Sequence, residues 1–283
     1  MQPGPAWLVR GRSLVADRVL IMGIINVTPD SFSDGGHYLD HSEALARAGQ
    51  LIDEGADVID IGGESTRPGA ASVSVSEEIE RVVPLVQALA DTGAMVSVDT
   101  SKPEVMREAL AAGAAIINDV RALREPGALD VVAASDCGVV LMHMQGTPRT
   151  MQLAPSYDDV TQEVLHFLTE RIGHLRAHAI DPARVAVDPG FGFGKSIEHN
   201  FTLLSELSVL KRMHRPLLVG LSRKSMLGAA TGRGVWERIA ASAAAAVLAA
   251  ERGANIVRVH DVAATRDALG VLRMMQANSL TAT

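Results

Sequence analysis

One cysteine, Cys137, occurs in the whole chain. An internal disulfide framework, a cysteine-rich zinc site and an iron-sulfur cluster are therefore excluded, and a reducing, cytoplasmic setting is expected. Aromatic residues amount to 3%, too few for the stacking platforms on which single-stranded nucleic acids lie. Positive charge is short as well. The 26 Lys and Arg face 33 Asp and Glu, a net charge of -7, so no overall field draws the chain to nucleic acid or to an anionic lipid surface. No apolar run approaches the ~20 residues of a membrane span. The nearest, Ile239 to Ala250, is too short and mostly alanine. Two prolines, Arg10 and Arg12 interrupt the first 15 residues, so no secretory signal is expected there. Gly (25) and Pro (12) stand near average usage, which excludes collagen-like and low-complexity architectures.

What remains is a chain of 283 residues, 47% of them hydrophobic, with enough apolar material to bury a full core. Eight short runs rich in Val and Ile, bounded by turn residues, read as buried strands: Val19 to Val27, Val58 to Gly62, Met95 to Asp99, Ile116 to Asp119, Val139 to His143, Val185 to Asp188, Leu217 to Leu221 and Ile256 to His260. Their centres lie about 34 residues apart, the size of one strand and its crossover helix. Between them run helical patterns such as Ser42 to Glu54, Ser76 to Asp91, Asp158 to Ile180 and Val262 to Gln276. Ser74 with Glu77 and Ser101 with Glu104 have capping-box spacing, and Gly55, Gly113 and Gly253 stand where left-handed helix ends belong. Eight such units predict a TIM (β/α)8 barrel in a single domain over 1–283, with residues 1–18 as a short hairpin closing the bottom.

In a barrel of this kind chemistry sits at the C-terminal ends of the strands. Those ends are polar here: Asn26, Gly62 and Gly63, Asp99, Asn118 with Asp119, Met142 with His143, Asp188, Ser222, and Arg258 with His260. Strand alternation puts Ser97 and Asp99 on one face and Arg258 and His260 on one face, with Asp119 and His143 opposite to Asn118 and Met142. Asp119 and His143 are therefore expected to be satisfied structural groups beneath the helices. Two cationic or potentially cationic groups aimed into a barrel mouth have no packing rationale and suit a phosphate or diphosphate, which favours function for Arg258 and His260. Two connections, Thr28 to Tyr38 and Gly63 to Val75, exceed the usual 2 to 6 residues and are expected to act as mobile lids carrying Phe32 and Arg67. The segment Pro189-Gly-Phe-Gly-Phe-Gly-Lys-Ser196 has the spacing of a phosphate-binding loop but proline at its first glycine position, and it lacks the third glycine of a dinucleotide fingerprint. It reads instead as a turn bringing backbone close to a flat ligand on which Phe193 stacks.

Five segments in order, Asn26-Val-Thr-Pro-Asp-Ser-Phe-Ser33, Asp60-Ile-Gly-Gly-Glu-Ser-Thr-Arg-Pro-Gly69, Asp188-Pro-Gly-Phe-Gly-Phe-Gly-Lys195, Ser222-Arg-Lys-Ser225 and Arg258-Val-His260, resemble the dihydropteroate synthase family of pterin-binding TIM barrels. The resemblance spans essentially the whole chain. It implies a transferase of folate biosynthesis that joins 6-hydroxymethyl-7,8-dihydropterin diphosphate to p-aminobenzoate, releases diphosphate, uses Mg2+ and forms homodimers. Carried onto this chain, it assigns a pterin pocket to Asp99, Asn118, Met142, Asp188, Phe193, Gly220 and Lys224. It assigns the diphosphate to Asn26, Thr66, Arg67, Arg258 and His260, with the Asn26 amide oxygen as the protein's ligand to Mg2+. The p-aminobenzoate pocket, where sulfonamides bind in the family, falls to Phe32, Thr66, Arg67, Pro68, Lys224 and Ser225. Catalytic roles fall to Asp99, Lys224 and Arg67 in a dissociative substitution. The alternatives are a pterin-dependent methyltransferase, against which the Ser65-Thr-Arg-Pro68 and Ser222-Arg-Lys-Ser225 segments argue, and a non-catalytic pterin-binding paralogue.

Overall fold

The computed structural model describes residues 5–14, 18–27, 37–65, 72–148 and 150–280. Two short strands, β1 (Trp7–Val9) and β2 (Arg12–Leu14), pair antiparallel with Trp7 opposite Leu14. Arg10 and Gly11 both take positive φ (45° and 68°), the geometry of a two-residue hairpin turn. Eight parallel strands follow: β3 (Leu20–Asn26), β4 (Val58–Gly62), β5 (Val96–Asp99), β6 (Ile116–Asp119), β7 (Gly138–Met142), β8 (Val185–Asp188), β9 (Leu218–Val219) and β10 (Ile256–Val259). Their spatial order is β8-β7-β6-β5-β4-β3-β10-β9, and a bridge between Val187 and Leu217 closes the ring. The eight expected strands are all present, each within a residue or two of its expected bounds. The run Leu217 to Leu221 is the exception, since only two of its residues pair regularly.

Helices cover the outside of the barrel: α1 (His37–Glu54), α2 (Val75–Asp91), α3 (Pro103–Ala111), α4 (Ala128–Ala133), α5 (Val160–Ala177), α6 (Ile197–Ser205), α7 (Ser225–Thr231), α8 (Ile239–Glu251) and α9 (Val262–Leu280). Ser74 caps α2 by accepting from the Glu77 amide. Ser101 does not cap α3. Lys102 is the N-cap residue, and the Ser101 hydroxyl instead donates to Asp119 Oδ1 at 2.5 Å, because that buried carboxylate needs donors more than a solvent-side helix end does. Gly55, Gly113 and Gly253 follow α1, α3 and α8 at φ of 102°, 113° and 103°, as left-handed helix ends. Helix α1 starts at His37, so Tyr38, expected in a lid, is helical. Of the two expected lids, Thr28 to Tyr38 and Gly63 to Val75, residues 28–36 and 66–71 lie outside the described residues.

Strand alternation sorts the side chains into two cores. Residues facing the helices, among them Ile25, Ile59, Ile61, Val98, Ile117, Leu141 and Val187, form the larger apolar cluster with the inner faces of the helices. Residues facing the axis fill the lower half of the barrel, where Met22, Val58, Ile116, Val140, Ala186, Leu218 and Ile256 pack on Trp7 and Val9 of the hairpin. The hairpin thus stops the bottom of the barrel. Trp7 Nε1 donates to the Arg184 carbonyl at 2.8 Å, and the Arg10 amide to the Asp136 carbonyl at 3.0 Å. One level up, the axis-facing residues change character to Asp60 and Ser97, register partners on β4 and β5 that are both fully buried.

Candidate active site at the barrel mouth

Above that level the strand ends surround a small cavity. Asp99 closes β5, Asn118 lies on β6, Met142 closes β7, Asp188 closes β8, and Arg258 lies on β10. Gly220, Lys224 and His260 join them from the segments after β9 and β10, and Phe193 from the turn after β8. All of the residues expected to bind a pterin line this one cavity. Ile24 and Val120 complete its apolar walls, and Ser222 its polar rim.

Arg258 organises the floor. Its Nε donates to Asp60 Oδ2 at 2.5 Å and its Nη2 to Asp99 Oδ2 at 2.8 Å, so one guanidinium spans two carboxylates on neighbouring strands. Asn118 Nδ2 adds a 3.2 Å bond to the same Asp60 oxygen. Burial works against the Arg258 charge, but the two carboxylates outweigh it and hold the group firmly protonated. Asp99 is driven the other way. Burial raises its pKa to about 7 against the opposing pull of Arg258, with Asp60, Asp119 and Glu78 adding repulsion. Asp60 was not among the expected site residues. Its position two residues before Gly62, on the inward face of β4, was the available signal.

Opposite, Asp188 accepts from the Gly190 amide at 2.7 Å. Burial raises its pKa, while Lys224 and then the Gly190 amide pull it down. Lys224 donates to the Phe191 carbonyl, and its Nζ stands 4.4 Å from the centre of the Phe193 ring. Burial lowers Lys224 to about 8 although Asp188 counteracts it. A buried acid with raised pKa facing a half-buried base with lowered pKa is suited to a ligand carrying both donors and acceptors along one edge. Met142 packs with Val120, Met144 and Met151 against Phe193, an apolar wall for a flat ring.

At the outer rim His260 Nδ1 lies 3.0 Å from Ser222 Oγ, which also accepts from the His260 amide at 3.2 Å. Asn26 is half-buried at the end of β3 and Ser225 is exposed at the start of α7. Phe32, Thr66, Arg67 and Pro68 lie outside the described residues, so of the expected p-aminobenzoate pocket only Lys224 and Ser225 are placed.

Two polar residues near the mouth are structural. Asp119 accepts from Ser101 and from the Arg121 and Leu123 amides, the two amides each at 2.7 Å. His143 receives Lys195 Nζ at 2.9 Å, and burial followed by the Lys195 charge lowers it to about 3, so it is neutral. Lys195 itself is 2% exposed, and sequence reasoning gave it no role. It donates to the carbonyls of Gly190 and Phe193, at 2.9 and 3.1 Å, and so fastens the turn that presents Phe193.

Comparison with known proteins agrees with this geometry. The model of a family described as pterin binding enzyme matches residues 22–260. The dihydropteroate synthase of Escherichia coli strain K12 is 52% identical over 264 residues, 93% of this chain and 94% of that one. Among solved structures, Xanthomonas albilineans dihydropteroate synthase with 4-aminobenzoic acid is 54% identical with a TM-score of 0.91, over 97% of this chain and 99% of that one. The Yersinia pestis dihydropteroate synthase with a sulfonamide drug complex is 48% identical, also at 0.91, over 96% and 99%.

Proposed function

We infer the chemistry of this mouth from one premise, that the chain belongs to the pterin-binding enzyme family and, within it, to the dihydropteroate synthases. It is a transferase that condenses 6-hydroxymethyl-7,8-dihydropterin diphosphate with p-aminobenzoate to give 7,8-dihydropteroate and diphosphate. The observation that carries the assignment of roles is the convergence of Asp99, Asn118 and Asp188, from three strand ends, and of Lys224, from the segment after β9, on one cavity. Asp188 takes the amino and ring N–H donors of the pterin edge, Lys224 donates to its carbonyl, and Asn118 serves as donor and acceptor together. Phe193 and Met142 cover the ring faces.

The diphosphate then lies between Arg258 on β10, whose guanidinium also holds Asp60 and Asp99, and His260 at the rim, with Thr66 and Arg67 assigned there by resemblance. The substitution is dissociative: the C–O bond at the pterin methylene breaks first, its electron pair leaving with the diphosphate. Cationic side chains stabilise the leaving group. The cation left behind is delocalised into the dihydropterin ring and faced by the Asp99 carboxylate. The p-aminobenzoate amine, neutral near pH 7, attacks without a strong general base, and the resulting acidic arylammonium releases its extra proton to the departing diphosphate. Phe32, Thr66, Arg67, Pro68 and Ser225 shape its pocket, which is also the pocket proposed for sulfonamides on the example of the Yersinia protein.

Magnesium fits this site through Asn26. Among the described residues no group of three His, Cys, Asp or Glu forms a cage for a metal, whereas Asn26 Oδ1 stands at the mouth, 3.6 Å from where a side chain on Gly62 would begin. A magnesium ion, which keeps waters and takes phosphate oxygens, would be held by Asn26 and the substrate diphosphate, and when bound would neutralise leaving-group charge. A cytoplasmic location agrees with the one buried thiol, Cys137. A homodimer agrees with the exposed apolar side chains Phe201, Trp236 and Leu248 on and beside α6 and α8.

The assignment is tested by following diphosphate release and dihydropteroate formation with and without Mg2+ and p-aminobenzoate, in the wild-type protein and two variants. Asp188→Ala abolishes pterin binding, whereas Arg67→Ala spares it and slows turnover with p-aminobenzoate. Equal loss of pterin affinity in both variants would show the division into two pockets to be wrong. Pterin binding with no turnover in the wild-type protein would identify a pterin-binding protein without catalysis.

A further inference from the structure

The two ends of the substrate site are tied together at the cavity rim and again just outside it. The segment after β9 carries Lys224 at the pterin, and the segment after β10 carries His260 at the rim. Two successive contacts join them. Ser222 Oγ meets His260, and one residue further along each chain segment Arg223 meets Asp261. The second contact is bidentate, with Arg223 Nε on Asp261 Oδ2 at 3.0 Å and Nη2 on Oδ1 at 2.5 Å. Both side chains are mostly buried, at 17% and 14% exposure. Such a fork fixes orientation as well as distance.

Arg223 is held in the left-handed region, φ 59°, where a residue with a β-carbon is rare and needs external support. That support is specific. Its amide donates to Ser242 Oγ on α8 at 3.0 Å, and Arg238 Nη1 donates to its carbonyl at 3.0 Å and toward that of Lys224 at 3.4 Å. Trp236, 72% exposed, lies 4.9 Å from the guanidinium. The strained residue immediately precedes Lys224, and its partner immediately follows His260. We propose that the Arg223–Asp261 pair is a positioning device that couples the pterin end of the site to the diphosphate end. A ligand that orders either segment orders the other, so the second ligand meets a site whose ordering cost has already been met. The inference rests on the roles given above to Lys224 and His260.

The test measures binding of 6-hydroxymethylpterin and of inorganic diphosphate to the full chain, each alone and each in the presence of the other. In the wild-type protein diphosphate tightens pterin about tenfold, within the usual range of coupling, and pterin tightens diphosphate equally. Arg223→Gly removes the whole side chain but suits the left-handed backbone, so the ion pair is lost without straining the turn. It and Asp261→Asn each reduce the coupling to near unity, while each ligand alone binds within about twofold of wild type, and the double variant loses nothing more. Diphosphate also shifts the emission of Trp236 in the wild-type protein and not in Asp261→Asn. Only Trp7, 1% exposed at the far end of the barrel, shares that spectrum. Retained coupling in Arg223→Gly, or a Trp236 emission unmoved by diphosphate in the wild-type protein, overturns the inference and leaves the site reading intact. Failure of the wild-type protein to bind either ligand overturns the site reading itself.

Discussion

Burial moves two mouth residues toward each other in pKa, Asp99 up to about 7 and Lys224 down to about 8. In the proposed mechanism Asp99 acts as a carboxylate and Lys224 as an ammonium, so the productive form exists only between those values. As pH falls through about 7, Asp99 takes up a proton and stops facing the developing cation. As pH rises through about 8, Lys224 loses the proton that it offers the pterin carbonyl. The pH profile of kcat/KM is therefore expected to be a narrow bell. Because the limbs lie so close, the measured midpoints belong to the pair rather than to either residue. Asp99→Asn removes the acid limb and lowers kcat by roughly 10²-fold, the usual size of one lost electrostatic stabiliser. An acid limb unchanged in that variant would assign it to another group. Asp99 and Asp188 were legible in the sequence, because a carboxylate closing an apolar run adds nothing to a core and is costly to bury without a partner. Asp60 was less visible. It sits in mid-strand, where a carboxylate gives no hint that an arginine almost 200 positions later, Arg258, is its partner.

At the scale of elements, the turn from Asp188 to Ser196 shows how a motif can be legible while its cause is not. The sequence marked it as a place of close backbone approach. The structure supplies the neighbours: a side chain on Gly190 would collide with the His143 carbonyl, and Lys195 stitches the turn closed from within. Lys195 reads in sequence as one more surface cation, since nothing local announces that the loop after β7 folds over it. Burial lowers it to about 7, so between about 7 and the ordinary 10.5 the unfolded chain holds a proton that the native protein lacks. Stability then rises with pH across that window, by roughly 5 kcal/mol at most. Lys195→Met keeps the length without the charge. Melting temperatures from pH 6 to 10 are expected to climb more steeply in the wild-type protein than in this variant, and parallel slopes would assign the climb to other groups. Other element boundaries escaped the sequence for similar reasons. Ser101 has a capping spacing but answers to Asp119, and the short pairing of β9 reflects a barrel closing on two residues and one bridge.

Across the whole molecule the barrel separates its tasks along its axis. The eightfold period of strands and helices was readable because each unit needs its own apolar run, turn and helix end, and the axial order followed from strand polarity. The described structure adds a gradient: an apolar plug at the bottom, Asp60 and Ser97 at mid-height, and titratable groups at the top. Burying titratable groups at the mouth costs free energy, whereas burying the apolar plug at the bottom is favourable. Trp7 is the largest side chain of that plug. It is 1% exposed, bonded to the Arg184 carbonyl, and seated against Gly138, where a side chain would strike Val9 and the indole ring. Trp7→Ala leaves a cavity among Met22, Val140 and Leu218 and orphans the Arg184 carbonyl, so a loss of about 3–5 kcal/mol is expected in denaturant unfolding. None of those neighbours touches the mouth, which lies at the opposite ends of the same strands. At a temperature where the variant stays folded, its kcat and its KM for both substrates should match the wild-type values. If kcat fell in step with stability, the bottom of the barrel would be positioning Asp99 and Asp188 through the strands, and the separation along the axis would not hold.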